Sequence, residues 1–552
     1  MESNRPGSEL FPFDRRTLAL AGAIFLLALA LRAYLASALA GPLDTDSSDY
    51  LLVARNLAQG RGFIEDLVWN FLSHPAAVTH PSHDYWMPLE TILIYLSQLL
   101  LGQSFFAAEL PGLLLGAALP VLGMAIALEL GAREIYAGLA GIILAVGPRL
   151  VFYSIDTDAM MPYAFSQGLV VWSALRALKG RPGWLVLAGL AAGLAHLSRN
   201  DASIWVAALI LLFLLDRWKN RGRPAPFRYW LLAGAGYLAV MAPWMARNLF
   251  VFGALFPPNS TKAMFFHQYL DLYAFDQDFT LRSYLAQGAA VIAQHKVLGL
   301  VSVLQTVWEE GALFRGLIPF AALGMALAPS PGRRVMLVHL GLIVLVWSLL
   351  MEAYAGPFGG TTRTAVGLTV YLVPAALLGL DRLEQGLAKR WPLPAWILPA
   401  LAIALAGWLG VPVWRSKAEL ARLSQSDWDS IHRLGQHLKQ VAPPRPTVMT
   451  FQPWQLNLAE DLPAVSIPSN GLSAIAAAGR QYGVELLVLE NFQIRDMLGY
   501  RAEAAYLKDL AREFQETGRS RDPDFIPAGN FGDTLIFRLA PARAQAEGKA
   551  SP

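Results

Sequence analysis

The sequence predicts a mainly α, polytopic membrane protein that ends in a soluble α/β domain. Three observations carry this expectation. Hydrophobic residues make up 55% of the 552 positions and charged residues only 15%, with a mean hydropathy of +0.41, too apolar for a water-soluble globule. Apolar runs able to span a hydrocarbon core, about 20 residues each, recur between positions 17 and 413. From position 415 onward charge rises, and short strand-like runs at 446–451 and 485–489 alternate with helical ones such as 502–517, as in an α/β domain.

Charge and cysteine content narrow the function classes. A net charge of +3, with basic residues spread among loops, argues against a nucleic-acid partner. The absence of cysteine excludes disulfides and thiolate metal sites and fits either side of a membrane.

Along the chain, residues 1–16 form an expected cytoplasmic N-terminus. Arg15 and Arg16 precede the apolar run 17–39 as in a signal sequence, but no small-residue cleavage site follows, so the run is read as a retained first helix. Further runs at 107–130, 135–153, 162–178, 184–198, 203–216, 229–247, 312–329, 335–351, 366–381 and 394–413 bring the expected spans to about eleven. The run 88–102 reaches only ~22 Å at ~1.5 Å per residue and is read as an interfacial helix. That choice places Arg133, Arg176, Lys179, Arg181, the 216–228 loop, Arg333, Arg334 and the 381–390 loop all on the side of the N-terminus, in keeping with the positive-inside rule.

The membrane domain is thus expected over 17–414, with a first outer loop at 40–106. This loop is acidic, carrying Asp44, Asp46, Asp49, Glu65, Asp66, Asp84 and Glu90 against Arg55 and Arg61. Its opening, LDTDSSDYLLVARNLAQGRGF, places Tyr50, Val53, Ala54 and Leu57 at helical period. Ser47 or Asp46 can cap that helix at its start and Gly60 at its end. Such a helix is expected to lie in the membrane interface, holding the aspartates at the water boundary. A second outer loop carries Asp156 and Asp158, and a third, 248–311, holds an amphipathic stretch. The soluble domain is expected over 415–540 on the outer side, and the polar tail 541–552 reads as disordered.

The order of these features resembles the GT-C membrane glycosyltransferases: DSSDYLLVARNLAQGRGF after the first span, HPSHDYWMP before an interfacial helix, YSIDTDAMMPYAF in the second acidic loop, then GLAAGLAHLSRNDASI. The likeness is to bacterial relatives of the dolichyl-phosphate-mannose protein mannosyltransferases and of the lipid A aminoarabinose transferase, over about residues 17–380. The WWDxG signature of oligosaccharyltransferases is absent. The resemblance implies a membrane enzyme of the cell envelope that moves a sugar from a polyprenyl-phosphate donor to a lipid, glycan or protein acceptor on the outer face, with inversion.

The resemblance also implies site residues. Asp46 takes the first-loop catalytic position, which suits the chemistry, because a hydroxyl acceptor needs a general base and a phosphate leaving group needs no general acid. Asp158 takes the second acidic position, with Asp156 beside it. Arg363 is the first candidate for the lipid phosphate, followed by Arg199 and Lys262, since a developing anion needs cationic partners. Asp44, Asp49, Tyr50 and His83 complete the candidate substrate-binding set, although Asp44 and Asp49 also read as plain solvated charge. The family so resembled is split between metal-dependent and metal-independent members; if a divalent cation such as Mg or Mn takes part, Asp46, Asp158 and His83 are its candidate ligands, and His80 and Asp84 add imidazole and carboxylate nearby. Two rival readings are a surface-polysaccharide polymerase or ligase and a transporter of lipid-linked sugars. The absence of an internal repeat and of mid-span charge counts against the transporter.

Overall fold

In the computed structural model the described residues are 14–219, 224–311, 313–354, 360–391, 394, 396–490 and 505–540. The tail expected to be disordered, 541–552, and most of the N-terminal segment fall outside them. Helix α1 (Arg15–Ala36) is capped by Asp14, whose carboxylate accepts from the amides of Arg16 and Thr17. There follow α2 (Thr45–Ala58), β1 (Ile64–Val68), β2 (Thr79–Pro81), α3 (Leu89–Leu101) and α4 (Phe105–Leu130). α5 (Glu134–Val146) and α6 (Pro148–Ser154) meet at a bend of 56°. Next come α7 (Met160–Leu178), α8 (Trp184–Ser198), α9 (Ile204–Lys219), α10 (Phe227–Phe252), α11 (Pro258–Lys262), α12 (Leu281–Leu285) and α13 (Ala289–Glu310). The chain continues through α14 (Ile318–Leu327), α15 (Ser330–Leu349), α16 (Gly360–Leu387), α17 (Ile397–Arg415) and α18 (Lys417–Val441). The last elements are β3 (Val448–Thr450), α19 (Pro453–Glu460), β4 (Ala464–Ser466), α20 (Leu472–Tyr482), β5 (Leu486–Leu489), α21 (Ala505–Thr517), β6 (Phe525–Phe531) and β7 (Thr534–Leu539).

Every apolar run read from the sequence is helical, but the count of about eleven spans is not reached by length and composition. Among the described residues seven helices are long and apolar enough to cross a membrane, or eight if the bent pair α5 and α6 is one span. The difference comes from α7, which at 19 residues is long enough but not among the sufficiently apolar helices, and from three short helices, α8, α9 and α14, with 15, 16 and 10 residues. At ~1.5 Å per residue they cover about 15–24 Å, short of a ~30 Å core. One of the seven, α13, arises where the sequence suggested only an amphipathic stretch on the membrane.

The chain forms two compact units. The first, Met1–Leu39, Tyr85–Ser260 and Gln287–Arg422, is the helical bundle. At its centre is α16, among the described residues the one candidate span whose apolar window is wholly buried. Basic residues gather at one end of this bundle: Arg133 pairs with Asp381 at 2.5 Å and with Glu384, Arg176 and Lys179 meet Glu129 at 3.3 and 3.0 Å, and Arg382 donates to the Gly131 carbonyl. Gly332 packs on Leu130 and thereby brings Arg333 and Arg334 to the same end. Trp184 clusters with Ala225 and Tyr229, which brings Arg228 to the same end. The far ends of the same helices meet the acidic loop: Gly112 of α4 lies against the carbonyls of Ser154 and Asp156, and Arg363 of α16 pairs with Asp158. Along α16, Arg363 and Asp381 are separated by about 27 Å at ~1.5 Å per residue, close to the thickness of a hydrocarbon core.

The second unit comprises Ala40–Asp84, Thr261–Ala286 and Leu423–Pro552, discontinuous where composition draws one contiguous segment. Its seven-stranded mixed sheet runs β2-β1-β4-β3-β5-β7-β6. Strand β1, from the first loop, pairs in parallel with β4, Leu67 opposite Ala464 and Val68 opposite Val465. The apolar stripe of α2 is accounted for here, since Tyr50, Val53 and Ala54 are buried and α2 packs on β1 and α19. The stripe expected to meet lipid finds protein instead.

Close helix contact in the bundle depends on glycine. A Cβ on Gly324 would stand 1.7 Å from the Ala375 carbonyl oxygen, and one on Gly379 2.1 Å from that of Phe320. Gly324→Val should therefore lower stability by about 1–3 kcal/mol, read as a reduced melting temperature in detergent. Gly341→Ala, where a Cβ meets nothing within 4 Å, should leave melting unchanged or slightly raised. Equal melting of the two variants would refute this packing.

Candidate active site

The acidic opening of the second unit is built by α2. Asp44 is its N-cap, accepting from the Ser47 amide and hydroxyl at 2.9 Å. The cap expected at Ser47 or Asp46 is thus two or three residues earlier, which also replaces the solvated-charge reading of Asp44. The helix closes as expected at Gly60, with φ of 73°: the Gly60 amide donates to Leu57 and the Arg61 amide to Asn56, a Schellman ending. With the cap supplied by Asp44, Asp46 stands in the first turn, partly exposed.

Asp49 is not a solvated charge, being only 1% exposed. It is hydrogen-bonded to Glu65, and the Trp454 indole donates to its Oδ1 at 3.2 Å. Burial pushes its carboxyl up to about 8, with the charges of Asp46 and Asp84 adding to the rise and the Glu65 and Trp454 hydrogen bonds opposing it. Glu65 lies opposite His80 in the β1–β2 pairing, the imidazole Nδ1 standing 3.7 Å from its carboxylate. His83 is buried with φ of 62°, its ring edge-on to Tyr50 at 6.3 Å and beside Phe63 at 5.8 Å. Ser73 donates to Asp84 at 2.6 Å. Lys262, a candidate for the lipid phosphate, donates to the Leu72 carbonyl.

The other candidates come together in the bundle. The bend between α5 and α6 is held by Arg32 of α1, which donates to the Ala145 carbonyl and to the Ser154 hydroxyl at 2.9 and 3.0 Å. Beyond α6 the chain presents Asp156 and Asp158, both buried. The first accepts from the Thr157 amide at 2.9 Å and the second from Met160 at 2.8 Å. Arg363 reaches Asp158 at 3.3 Å. Arg199 pairs with Asp201 at 3.0 Å, lies over the Tyr163 ring at 5.5 Å and is close enough to Arg363 for the two cations to oppose one another. Thr364, next to Arg363, donates to Asp201.

The structure adds Glu90, Glu109 and Asp201 to the acids picked from sequence. Glu90 was the most visible of these, a lone acid beside Leu89 at the start of an apolar helix. Among the described residues no group of three His, Asp or Glu side chains is arranged to hold a metal ion.

Comparison with known proteins places this geometry. Residues 79–246, which include Asp156, Asp158 and Arg199, match the profile of dolichyl-phosphate-mannose-protein mannosyltransferase. The apo oligosaccharyltransferase of Archaeoglobus fulgidus superposes with a TM-score of 0.54 at 12% identity, covering 89% of this chain and 71% of that one. The same enzyme tethered to an acceptor peptide gives 0.55 at 11%. ArnT from Cupriavidus metallidurans bound to undecaprenyl phosphate gives 0.53 at 13%, covering 96% of this chain and 98% of that one. A search of curated protein sequences gives no match. The chain therefore has the GT-C fold of membrane glycosyltransferases.

The burial of Asp49 has a measurable consequence. Its carboxyl titrates near 4 when unfolded and at about 8 when folded, so the folded protein binds its proton more tightly between those values. Stability should then fall as pH rises from about 4 to about 8. Asp49→Asn should flatten the fall in melting temperature over that window; curves that stay parallel would show that Asp49 does not contribute to it.

Proposed function

We propose that the protein is a glycosyltransferase that uses a polyprenyl-phosphate sugar on the outer face of a bacterial plasma membrane. The carrying observation is the pairing of Arg363 with Asp158 at the end of the bundle opposite the basic end. By the positive-inside rule the basic end is cytoplasmic, so the Arg363 end faces outward, where nucleotide sugars are scarce and lipid-linked ones are at hand. ArnT, of like fold, was captured with undecaprenyl phosphate, which supports the donor class. The outer-face placement extends to the soluble domain at 415–540. The Asp158–Arg363 pair favours this reading over a transporter, because its charges belong to a bundle end and not to the middle of a span.

The reaction is a single displacement. The acceptor oxygen forms a bond to the anomeric carbon as the bond from that carbon to the phosphate oxygen breaks, and the configuration inverts. The acceptor proton passes to a carboxylate, and the bonding pair leaves on the polyprenyl phosphate. Asp46 is the base; as a partly exposed side chain in a helix first turn, it avoids the burial that neutralises Asp49. Arg363 binds the departing phosphate, and Asp158 holds its guanidinium in place. Arg199, engaged with Asp201, adds positive charge to the same cluster.

Asp46→Asn keeps size and hydrogen bonding but removes basicity, and should cut transfer about 10²-fold or more with expression and melting intact. Near wild-type turnover by that variant would remove Asp46 from the mechanism.

The donor assay gives the purified protein, in nanodiscs, either polyprenyl-phosphate sugars or nucleotide sugars. Turnover is expected only with the former, and turnover with a nucleotide sugar alone would reject the proposal. Arg363→Ala should weaken donor use more than acceptor use. Arg363→Lys should restore only part of it, since lysine lacks the bidentate fork.

A further inference from the structure

Glu90 is an acid that the proposed reaction does not use. It stands in the first turn of α3, wholly buried, and neither carboxyl oxygen has a hydrogen-bond partner among the described residues. The charges facing it are those of Asp158 and Asp156, alike in sign. Of the other charged groups nearby, Arg363 is engaged with Asp158, and Glu109 faces Asp156. Burial first, then the two aspartates, holds the Glu90 carboxyl well above the usual carboxylate range. In its neutral form it carries one O–H donor. A buried polar group without a partner among the described residues calls for an explanation, and in a cluster that binds ligand the ligand itself can supply the acceptor.

We propose that Glu90 is a binding residue for the donor phosphate, in which its protonated carboxyl donates a hydrogen bond to a phosphoryl oxygen beside Arg363. This rests on the polyprenyl-phosphate reading above. The choice of a phosphoryl oxygen follows from the setting: Arg363 is the cation proposed to meet the phosphate, and a neutral donor adds a directed contact where an ionised carboxylate would repel it.

The test measures binding of a polyprenyl monophosphate to the full-length protein in detergent. Glu90→Gln keeps a neutral donor of similar size and should bind within about 3-fold of wild type. Glu90→Leu removes the donor yet fills the space, and should bind about 10- to 100-fold more weakly, the worth of a hydrogen bond to a charged acceptor. Its melting temperature should be equal to or above that of wild type, since it removes an unpartnered buried acid. Equal binding by the Leu variant would overturn the proposal, as would a Gln variant as weak as the Leu one, which would mean that the ionised carboxylate is what matters. A wild-type protein that does not bind polyprenyl monophosphate would reject the donor reading itself, and this proposal with it.

Discussion

The Asp158–Arg363 ion pair is the contact on which the acidic end of the bundle depends. It ties the first turn of α16, the buried centre of the bundle, to the loop after α6. A second tie lies one residue on, where Thr364 donates to Asp201 and Asp201 in turn holds Arg199. At the far end of α16, Asp381 and Glu384 hold Arg133. Breaking a buried pair by removing one partner leaves an uncompensated charge, at a cost of about 3–5 kcal/mol. A helix fixed in this way at both ends offers Arg363 little freedom to wander. The guanidinium is thus set in place by the fold before any ligand arrives.

In the other unit the corresponding constraint is the sheet. Strand β1 belongs by sequence to the first loop, yet its parallel partner β4 lies some four hundred residues on. Parallel pairing without a local crossover helix is costly in loop entropy and is secured here by side chains. Arg55 of α2 donates to Asn457 Oδ1 at 2.7 Å, Asn457 closes on the Leu462 carbonyl at 2.9 Å, and Trp454 reaches Asp49. The acidic helix is therefore seated on the C-terminal sheet, so the late residues of the chain bear directly on the orientation of its early carboxylates.

These two constraints explain what could be read from the sequence. The apolar runs, the Gly60 ending and the β3 and β5 strands were legible because each is decided by local periodicity or by one residue's backbone freedom. The gathering of Arg133, Arg176, Arg228 and Arg333 at one bundle end was legible too, because loop charge obeys the membrane and not the packing. The cap at Asp44 was not, since Asp44, Asp46 and Ser47 are chemically equivalent caps and only the backbone decides among them. The parallel partner of β1 and the burial of Asp49 and Glu90 depend on residues far away in sequence. A carboxylate looks the same in a sequence whether water or a tryptophan surrounds it.

Burial then sorts the carboxylates into different kinds. Glu490, at the end of β5, accepts from the Thr450 hydroxyl at 2.5 Å and is pushed by burial up to about 7. Asp49 lies higher, and Glu90 is held well above its usual range. None of these is a strong base in neutral solution, because each keeps its proton for part or all of the working range. Asp158 is buried as well, but an arginine faces it, and an opposite charge favours the ionised form. Asp46 keeps part of its surface in contact with water, as do Asp44 and Asp201. In a region this rich in acids, the groups suited to accept a proton are those the fold leaves in contact with water, and the groups suited to donate a hydrogen bond are those it encloses.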